Sequence, residues 1–446
     1  MEQLTGDVVG QRSVSGSSSS SQDLNGAGGN VGGIGELDAW DVAPPPATDA
    51  PLDLAAVGRF ARSCFRPGGT ERVGAEIEFL TVSDRDPMSS VAIAQLEEIT
   101  APIPLRGSIS FEPGGQIEIV SPPDTLANSH ASIAADLHDL RAAFEANGIR
   151  LCGIGMDPIR PEQRVLRGPR YDAMETFFDV DGPSGRLMMS RTASIQVNLD
   201  FGASPEDRWR LAHVLGPTMA AAFSNSPLFC GAPSGWRSTR LSTWRAIDPT
   251  RTAPVGGDGP RAWARYALDA RVMLVRRDPA FYMPILSSTP FRAWMTEARW
   301  PGPGIDDLAY HCTTIFPPIR PRGWLEIRMC DALPDPWWTV PIAVWTALLY
   351  DEEAGERARR AAAPVGTAWL QAARAGMSDP IIAAAAREAF SAAIEALPRV
   401  DADAQQVDLV GEYFERWIDR GRSPADDWIR AANEDDQLSG MEVAWT

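Results

Sequence analysis

The chain has 446 residues, of which 44% are hydrophobic, and a formal net charge of −18. This composition supplies a substantial core, while the acidic balance argues against a general nucleic-acid binder, because a phosphate backbone requires a basic surface. All 41 basic residues are arginine, which excludes Walker P-loops, lysine Schiff bases and the ATP-binding lysine of kinases. Any phosphate must therefore be bound by arginine, backbone N–H groups or metal ions.

Cysteines and apolar runs indicate the compartment. The five cysteines are scattered, odd in number and without a C-x-x-C pair, which is typical of reduced thiols and excludes a zinc knuckle. No apolar run approaches the length of a membrane span, and the N-terminus lacks the apolar core of a signal peptide. We expect a cytoplasmic protein with no membrane and no nucleic-acid partner.

The N-terminal 48 residues are rich in Ser, Gly and Pro and predict a disordered leader, because such a segment buries too little surface to offset its chain entropy. Residues 49–446 are predicted to form a single catalytic domain. Helical spacing of apolar residues predicts a helix over 54–61, followed by a strand over 73–82. Pro113-Gly114-Gly115 predicts a tight turn between two extended runs within 108–122.

The second half of the chain continues the mixture of helices and strands. Helices are predicted over 133–144 and 205–223, with a clearly alternating strand over 192–200 between them. A loop rich in Gly, Ser and Arg is predicted over 224–259, and a late strand over 323–329. From about residue 337 the chain is rich in Ala, Glu and Arg at helical spacing and is predicted to be mainly helical.

Two glutamates interrupt the first predicted strand, Val73-Gly-Ala-Glu-Ile-Glu-Phe-Leu-Thr-Val82. Side chains alternate along a strand, so Glu76 and Glu78 leave the same face. For one isolated pair, the simplest interpretation is a sheet face in solvent.

The same pattern recurs in other predicted strands, each with one apolar and one polar face. The polar residues are Glu76 and Glu78; Glu112, Gln116 and Glu118; Gln196 and Asn198; and Glu326 and Arg328. If these strands belong to one antiparallel sheet whose apolar side packs against helices, the polar side chains converge on one surface. The alternative is that each polar face is solvated independently, and periodicity alone does not decide between the two.

Converging carboxylates require cations, because two carboxylates about 4 Å apart repel by roughly 4 kcal/mol at an effective dielectric constant near 20. Carboxylate and amide oxygens suit Mg²⁺ or Mn²⁺, whereas a chain with four histidines and no paired cysteines is poorly suited to zinc. An acidic site holding divalent ions suits ATP, whose phosphate oxygens such ions bridge during phosphoryl transfer.

Positive charge is concentrated in a segment at 235–252 and at Arg191. The segment interleaves tryptophans with arginines: Trp236, Arg237, Arg240, Trp244, Arg245 and Arg251. This combination suits the binding of carboxylate or phosphate beside an aromatic wall. The alternatives are a protein interface or an RNA-contacting surface, and the acidic net charge disfavours RNA.

These residues resemble the plant-type glutamate-cysteine ligase family, in particular its bacterial branch that serves ergothioneine biosynthesis. The resemblance is collinear over roughly residues 70 to 350. It is carried by Arg72-Val-Gly-Ala-Glu-Ile-Glu78, Ile109-Ser-Phe-Glu-Pro-Gly-Gly-Gln-Ile-Glu118, Gly168-Pro-Arg-Tyr-Asp-Ala-Met174, Arg191-Thr-Ala-Ser-Ile-Gln-Val-Asn-Leu-Asp-Phe201, Trp244, Tyr266-Ala-Leu-Asp269, His311-Cys-Thr-Thr-Ile-Phe-Pro317 and Leu325-Glu-Ile-Arg328. Each motif is weak alone, and the ordered series is specific.

The resemblance implies an α+β fold, with a glutamine-synthetase-like curved antiparallel sheet that forms a funnel surrounded by helices. It also implies ATP- and Mg²⁺-dependent joining of the L-glutamate γ-carboxylate to the L-cysteine amine through γ-glutamyl phosphate. The protein would be a monomer or a homodimer. The alternatives are a ligase that uses a different amine and a metabolite-binding relative without catalysis.

The resemblance also implies roles for individual residues. Metal binding is implied for Glu76, Glu78, Glu112, Glu118 and Glu326. Nucleotide binding is implied for Gln196, Asn198 and Arg328. Substrate binding is implied for Arg191, Arg240, Trp244, Arg245 and Arg251. Catalytic roles are implied for Arg191, Arg240, Arg251, Glu326 and Arg328. The chain departs from the family after the late Glu-x-Arg, where Met329-Cys330-Asp331-Ala332 replaces glycines.

Overall fold

A computed structural model describes residues 52–278, 281–297 and 302–434. The predicted disordered leader of residues 1–48 lies outside the described residues. The assignment of residues 49–446 to one catalytic domain stays a prediction. All five cysteines are free. In the described part of the chain, no helix is both long enough and apolar enough to cross a lipid bilayer.

Seven of the described strands form one antiparallel sheet. The eleven described strands, of which β6 with β7 and β8 with β9 form two separate pairs, are β1 (Val73–Ser83), β2 (Ser108–Phe111), β3 (Ile117–Val120), β4 (Ile149–Cys152), β5 (Ser194–Leu199), β6 (Leu228–Phe229), β7 (Ala232–Pro233), β8 (Leu274–Asp278), β9 (Phe281–Pro284), β10 (Ile319–Pro321) and β11 (Leu325–Asp331). The order in the seven-stranded sheet is β10-β11-β5-β1-β3-β2, and β4 pairs with β1. The predicted strands thus meet in one sheet, although they are distant along the chain.

Helices surround this sheet and form most of the described chain beyond residue 337, as the sequence predicted. They are α1 (Leu54–Ser63), α2 (Ile93–Thr100), α3 (Leu126–Ala146), α4 (Pro169–Phe178), α5 (Ser184–Arg191), α6 (Pro205–Ala222), α7 (Thr239–Arg245), α8 (Pro249–Thr252), α9 (Gly259–Asp269), α10 (Phe291–Trp294), α11 (Ile305–Cys312), α12 (Thr339–Tyr350), α13 (Glu352–Ala362), α14 (Trp369–Ala375), α15 (Pro380–Ala396), α16 (Ala404–Tyr413) and α17 (Pro424–Glu434).

The apolar face of the sheet packs against helices. Ile77 of β1, Val197 of β5 and Ile327 of β11 are fully buried in the main hydrophobic core. Helix α6 packs on β11, and α12 packs on β5 and β1. Burying these β-branched side chains contributes about 1.5 to 3 kcal/mol each. Because side chains alternate along a strand, this packing turns the polar side chains of the same strands to the opposite face.

Two tight turns place charged residues beside the polar face. The predicted Pro-Gly-Gly turn joins β2 to β3, and Gly115 has a φ of +87°, which favours glycine. The second turn, between β10 and β11, contains Gly323 at a φ of +88°. Strand β10 was not predicted, because Pro318 and Pro321 interrupt its short extended run. The β10–β11 hairpin pairs Arg320 with Glu326.

The prediction of a loop over 224–259 is wrong in part, because this segment contains the short helices α7 and α8. Both helices have side-chain N-caps. The Ser238 hydroxyl accepts a hydrogen bond from the Leu241 N–H, and the Asp248 carboxylate accepts one from the Thr250 N–H. Each cap satisfies an otherwise unpaired backbone donor. The abundance of Gly and Ser concealed these capping signals in the sequence.

Candidate active site

The polar side chains predicted from separate strands lie on one buried face of the large sheet. Glu78 of β1 lies opposite Glu118 of β3, and Glu326 of β11 lies opposite Asn198 of β5. The exposed fractions are 7% for Glu76, 7% for Glu118, 3% for Gln196, 1% for Asn198 and 0% for Glu326. The alternative of independently solvated polar faces is therefore wrong.

Hydrogen bonds hold the β1 carboxylates against β5. Glu78 accepts from the backbone N–H of Ser194 at 2.8 Å, from the Ser194 hydroxyl at 3.1 Å and from Gln196 Nε2 at 3.3 Å. Asn198 Nδ2 donates to Glu76 at 3.1 Å, and the Asn198 side-chain carbonyl accepts from Trp324 Nε1 at 2.9 Å. These donors are uncharged, so they orient the two carboxylates without neutralising them.

The surroundings of four of the carboxylates disfavour the charged form. Burial raises the pKa values of Glu76, Glu78, Glu112 and Glu118 above the ordinary range. For Glu112, burial and then repulsion from Glu78 raise the pKa to about 8. For Glu118, repulsion from Glu76, Glu112 and Glu78 adds to burial. A cation bound at this face would relieve the repulsion and favour the ionised carboxylates.

Glu326 differs from the other four glutamates because it is surrounded by guanidinium groups. Arg320 binds it through two nitrogens at 2.5 and 2.9 Å, Arg322 approaches to 3.2 Å, and Arg328 approaches to 3.3 Å. Burial by itself would raise the pKa of Glu326, but the attraction of Arg320, Arg328 and Arg322 outweighs burial and holds that pKa well below its usual range. Glu326 is therefore ionised at neutral pH.

The donor chemistry of this face fits a divalent cation. Among the described residues, no group of three or more His, Cys, Asp or Glu side chains is arranged to hold an ion. The four glutamates with raised pKa values nevertheless offer the hard oxygen ligands that Mg²⁺ and Mn²⁺ prefer. Glu326, which resemblance places in the same metal set, is paired instead with arginines.

A small cavity of about 30 Å³ lies between the end of the polar sheet face and helix α7. Four residues predicted to bind substrate or nucleotide line it: Arg240, Trp244, Arg245 and Arg328. Trp244 packs edge-on against Phe316, with ring centroids 5.4 Å apart, and the Arg328 guanidinium lies 5.9 Å from the centroid of the Trp244 ring. The structure thus places Trp244 beside arginines, and its role as the wall of a substrate site stays a prediction.

Two larger cavities lie elsewhere in the described residues. One of about 410 Å³ is lined by His130, Arg141 and Trp338 and by none of the predicted site residues. The other, of about 690 Å³, contains Arg245 but otherwise lies between α6 and the start of α14. Volume alone would therefore point away from the acidic face, and the chemistry of the side chains locates the site.

Two predicted site arginines make their contacts outside the small cavity. Arg191 is buried, donates to the Asp157 carbonyl at 2.6 Å and stacks over the Phe229 ring. The Nε atom of Arg191 is buried without a partner in the described structure. Arg251 is fully buried, and its three nitrogens donate to the Asp248 carboxylate and to the carbonyls of Thr314 and Arg271.

Sequence reasoning missed Arg320 and Arg322, the two arginines that join Arg328 around Glu326. The signal was present in Arg320-Pro-Arg-Gly-Trp-Leu-Glu326, where Gly323 marks a turn between two charged extended segments. Recognising the hairpin would have placed Arg320 opposite Glu326. Sequence reasoning also missed Asp331, whose buried carboxylate lies 3.4 Å from Arg240 Nη1.

An antiparallel sheet backed by helices, with a buried acidic face flanked by arginines, is the architecture of the glutamine-synthetase-like fold. The predicted fold class is thereby confirmed. A crystal structure of glutamate-cysteine ligase from Francisella tularensis in complex with AMP has the same fold, with a TM-score of 0.55 and 13% identity. The match covers 85% of this chain and 88% of that chain.

The sequence profile of glutamate-cysteine ligase family 2 (GCS2) matches residues 72–442, and the chain belongs to this family. Glutamate-cysteine ligase EgtA of Mycolicibacterium smegmatis is 40% identical over 408 residues, which cover 88% of this chain and 93% of EgtA. The chloroplastic glutamate-cysteine ligase of Arabidopsis thaliana is 35% identical over 265 residues, which cover 56% of this chain and 50% of the plant protein. The similarity to the bacterial protein thus extends over a larger part of the chain.

Proposed function

We propose that this protein joins the γ-carboxylate of L-glutamate to the amine of L-cysteine at the expense of ATP and gives γ-glutamylcysteine. The observation that carries the proposal is the convergence of Glu76, Glu118 and Glu326 on one buried sheet face, in a chain that belongs to the glutamate-cysteine ligase family. Similarity to EgtA supports the choice of substrates. On the resemblance described above, the product would serve ergothioneine biosynthesis, and the protein would be cytoplasmic and monomeric or homodimeric.

The reaction proceeds in two steps. A γ-carboxylate oxygen of glutamate attacks the γ-phosphorus of ATP, the bond to the β-phosphate oxygen breaks, and ADP leaves. The cysteine nitrogen then attacks the acyl carbon of γ-glutamyl phosphate, the nitrogen loses a proton, and phosphate leaves. Both steps require that water be kept from the acyl phosphate, and a buried site provides this protection.

The acidic face would hold the divalent cations of the reaction. We assign Glu76, Glu78, Glu112 and Glu118 to Mg²⁺ or Mn²⁺, because these carboxylates lack counter-charges sufficient to lower their pKa values. Ions bound there would neutralise phosphate charge. Glu326 belongs to the same predicted metal set, and in this structure it also holds Arg320, Arg322 and Arg328 beside the acidic face. Gln196 and Asn198 orient the β1 carboxylates, and we assign both to nucleotide binding, as the resemblance implies.

The cations at the end of the sheet would bind the anionic substrate groups. We assign Arg240 and Arg245 to the carboxylates of glutamate, and Arg328 to the transferred phosphoryl group. Trp244 forms the adjacent wall. Arg191 and Arg251, which the resemblance also places in the substrate site, are proposed to act from the walls, because their described contacts are with Asp157, Asp248 and neighbouring carbonyls.

Phosphate release by the purified protein tests the proposal. The protein is incubated with glutamate, ATP and Mg²⁺, with cysteine omitted, supplied, or replaced by a panel of other amino acids. We expect phosphate and γ-glutamylcysteine to form fastest with cysteine. Preferential release with another amino acid would establish a ligase that uses a different amine. Glutamate binding without any cysteine-dependent ADP release would establish a non-catalytic metabolite-binding relative.

A further inference from the structure

The last residue of β11, Asp331, is the centre of a buried hydrogen-bond network. Asp331 is 1% exposed, and its carboxylate accepts from three donors on the segment that precedes α7 and from one donor in α7 itself. The donors are the Asn225 backbone N–H at 2.8 Å, the Ser226 hydroxyl at 2.7 Å, the Ser238 hydroxyl at 2.9 Å and Arg240 Nη1 at 3.4 Å. The carboxylate therefore links the strand that carries Glu326 and Arg328 to the helix that carries Arg240.

Arg240 has its orientation set by β11. Besides the contact with Asp331, its Nη2 atom donates to the Arg328 carbonyl at 2.7 Å, and its Nη1 atom lies 3.4 Å from the Met329 carbonyl. Arg240 is 3% exposed, yet it lines the small cavity together with Trp244. The carbonyls are neutral acceptors. Among the described residues, the acidic side chain within ion-pair distance of this guanidinium is Asp331.

The backbone around Asp331 leaves room for its carboxylate. A Cβ atom added at Gly155 would lie 2.5 Å from the carboxyl carbon of Asp331, a separation that real Cβ atoms do not adopt. The Gly155 N–H donates to the Asn225 carbonyl at 3.0 Å, so the same segment also supports the network. Residues 329–332, which stand where the family has glycines, thus include a carboxylate that four donors hold in place.

We propose that Asp331 is a positioning residue that holds the Arg240 guanidinium in the orientation in which it binds a carboxylate of the glutamate substrate. This inference rests on the proposed function. A charge-assisted contact in a buried site restricts a flexible guanidinium and spares the substrate the cost of ordering it. Loss of the charge at residue 331 should therefore weaken glutamate binding and leave the binding of ATP and cysteine unchanged.

The first test replaces Asp331 by Asn, which retains the size of the side chain and removes its charge. Glutamate affinity of the full-length chain is measured by calorimetry, and the KM values for glutamate, ATP and cysteine are measured by phosphate release. We expect D331N to weaken glutamate binding and to raise the glutamate KM by about 10- to 100-fold, the range expected for a charge-assisted hydrogen bond. The KM values for ATP and cysteine should change by less than about 3-fold, within the range of near-neutral contacts.

A matched control separates positioning from general support of the fold. Asp136 is also buried and accepts from the backbone N–H groups of Arg106 and Gly107 and from Arg106 Nη1 at 3.2 Å, but it lies on α3 outside the candidate site. D136N should lower the melting temperature and leave the glutamate KM unchanged. If D331N and D136N change stability alike and neither changes glutamate affinity, Asp331 is merely structural and the inference is overturned.

A double-mutant cycle with Arg240→Gln tests whether Asp331 acts through Arg240. If it does, the double variant binds glutamate as weakly as Arg240→Gln alone. Independent, additive losses in the two single variants would overturn the inference. If the wild-type protein binds glutamate but releases no phosphate with cysteine, the proposed function fails, while calorimetry still decides the role of Asp331. A wild-type protein that does not bind glutamate overturns both.

Discussion

Arg320 and Glu326 face each other across the β10–β11 hairpin and form a buried bidentate ion pair. Arg320 Nε lies 2.5 Å from Glu326 Oε2, and Arg320 Nη2 lies 2.9 Å from Oε1. Glu326 is fully buried and Arg320 is 7% exposed, so water cannot replace either partner. Arg322 and Arg328 approach the same carboxylate. Glu326 thereby brings three cations to the edge of a face that is otherwise acidic.

Replacing Glu326 by Gln should reduce turnover by at least about 100-fold, which is the usual effect of removing one electrostatic group from an active site. The change leaves Arg320 buried without its counter-charge, so the free energy of unfolding should also fall, by about 3 kcal/mol. Phosphate release and chemical denaturation measure the two effects. Glu356→Gln, which breaks an exposed pair with Arg359, is the control and should change neither. Normal turnover of the Glu326 variant would refute its assigned role.

The stability of the metal-free protein should decrease as pH rises from about 5 to 8. The pKa of Glu112 is raised from 4.5 to about 8, so between these values the folded state binds a proton that the unfolded state has lost. One such proton lowers the free energy of unfolding by up to about 1.4 kcal/mol per pH unit. Glu76, Glu78 and Glu118 shift in the same direction.

Thermal denaturation in a chelator at several pH values measures this dependence. Glu112→Gln should make the decrease shallower, and replacement of the exposed Glu97 by Gln should not. Added Mg²⁺ should stabilise the wild-type protein more at pH 8 than at pH 6, because binding requires ionised carboxylates. Equal stabilisation at the two pH values would contradict the assignment of these glutamates to the cation.

Replacing Trp244 by Leu should raise the glutamate KM by about 10-fold. The indole ring packs against Phe316 and lies 5.9 Å from the Arg328 guanidinium, and a desolvated cation–π contact contributes about 2 kcal/mol. Steady-state kinetics with varied glutamate measures the effect. Trp236→Leu is the matched control, since Trp236 belongs to the same segment but does not line the small cavity. Equal effects of the two substitutions would remove Trp244 from the substrate wall.

Replacing Arg251 by Gln should destabilise the fold by about 3 kcal/mol, because it leaves the buried Asp248 carboxylate with only the more distant Arg271, at 3.9 Å, as a counter-charge. Urea denaturation measures the loss. The double substitution Asp248→Asn with Arg251→Gln removes both charges and should recover part of the stability. If Arg251→Gln keeps wild-type stability and loses turnover, Arg251 acts directly on a substrate, as the resemblance implies, and not from the wall of the site.

Local sequence patterns predicted the strands of the active site, because the alternation of apolar and polar residues identifies the two faces of a strand. Ile195, Val197 and Leu199 alternate with Ser194, Gln196 and Asn198, and the structure places the first three in the core and the last three on the polar face. The capped helices α7 and α8 were harder to predict. Their signals are single Ser and Asp side chains in a segment whose composition resembles a loop.

By itself, the sequence determined which chemical groups were available: glutamates and amides on alternating strands, arginines without lysines, and tryptophans beside the arginines. Only the tertiary structure decided which cation meets which carboxylate. It paired Glu326 with Arg320 and Arg322, gave Asp331 to Arg240, and kept Arg251 with Asp248. The physical reason is that alternation is a property of a few consecutive residues, whereas ion pairing and burial depend on sheet register and on turns between distant segments.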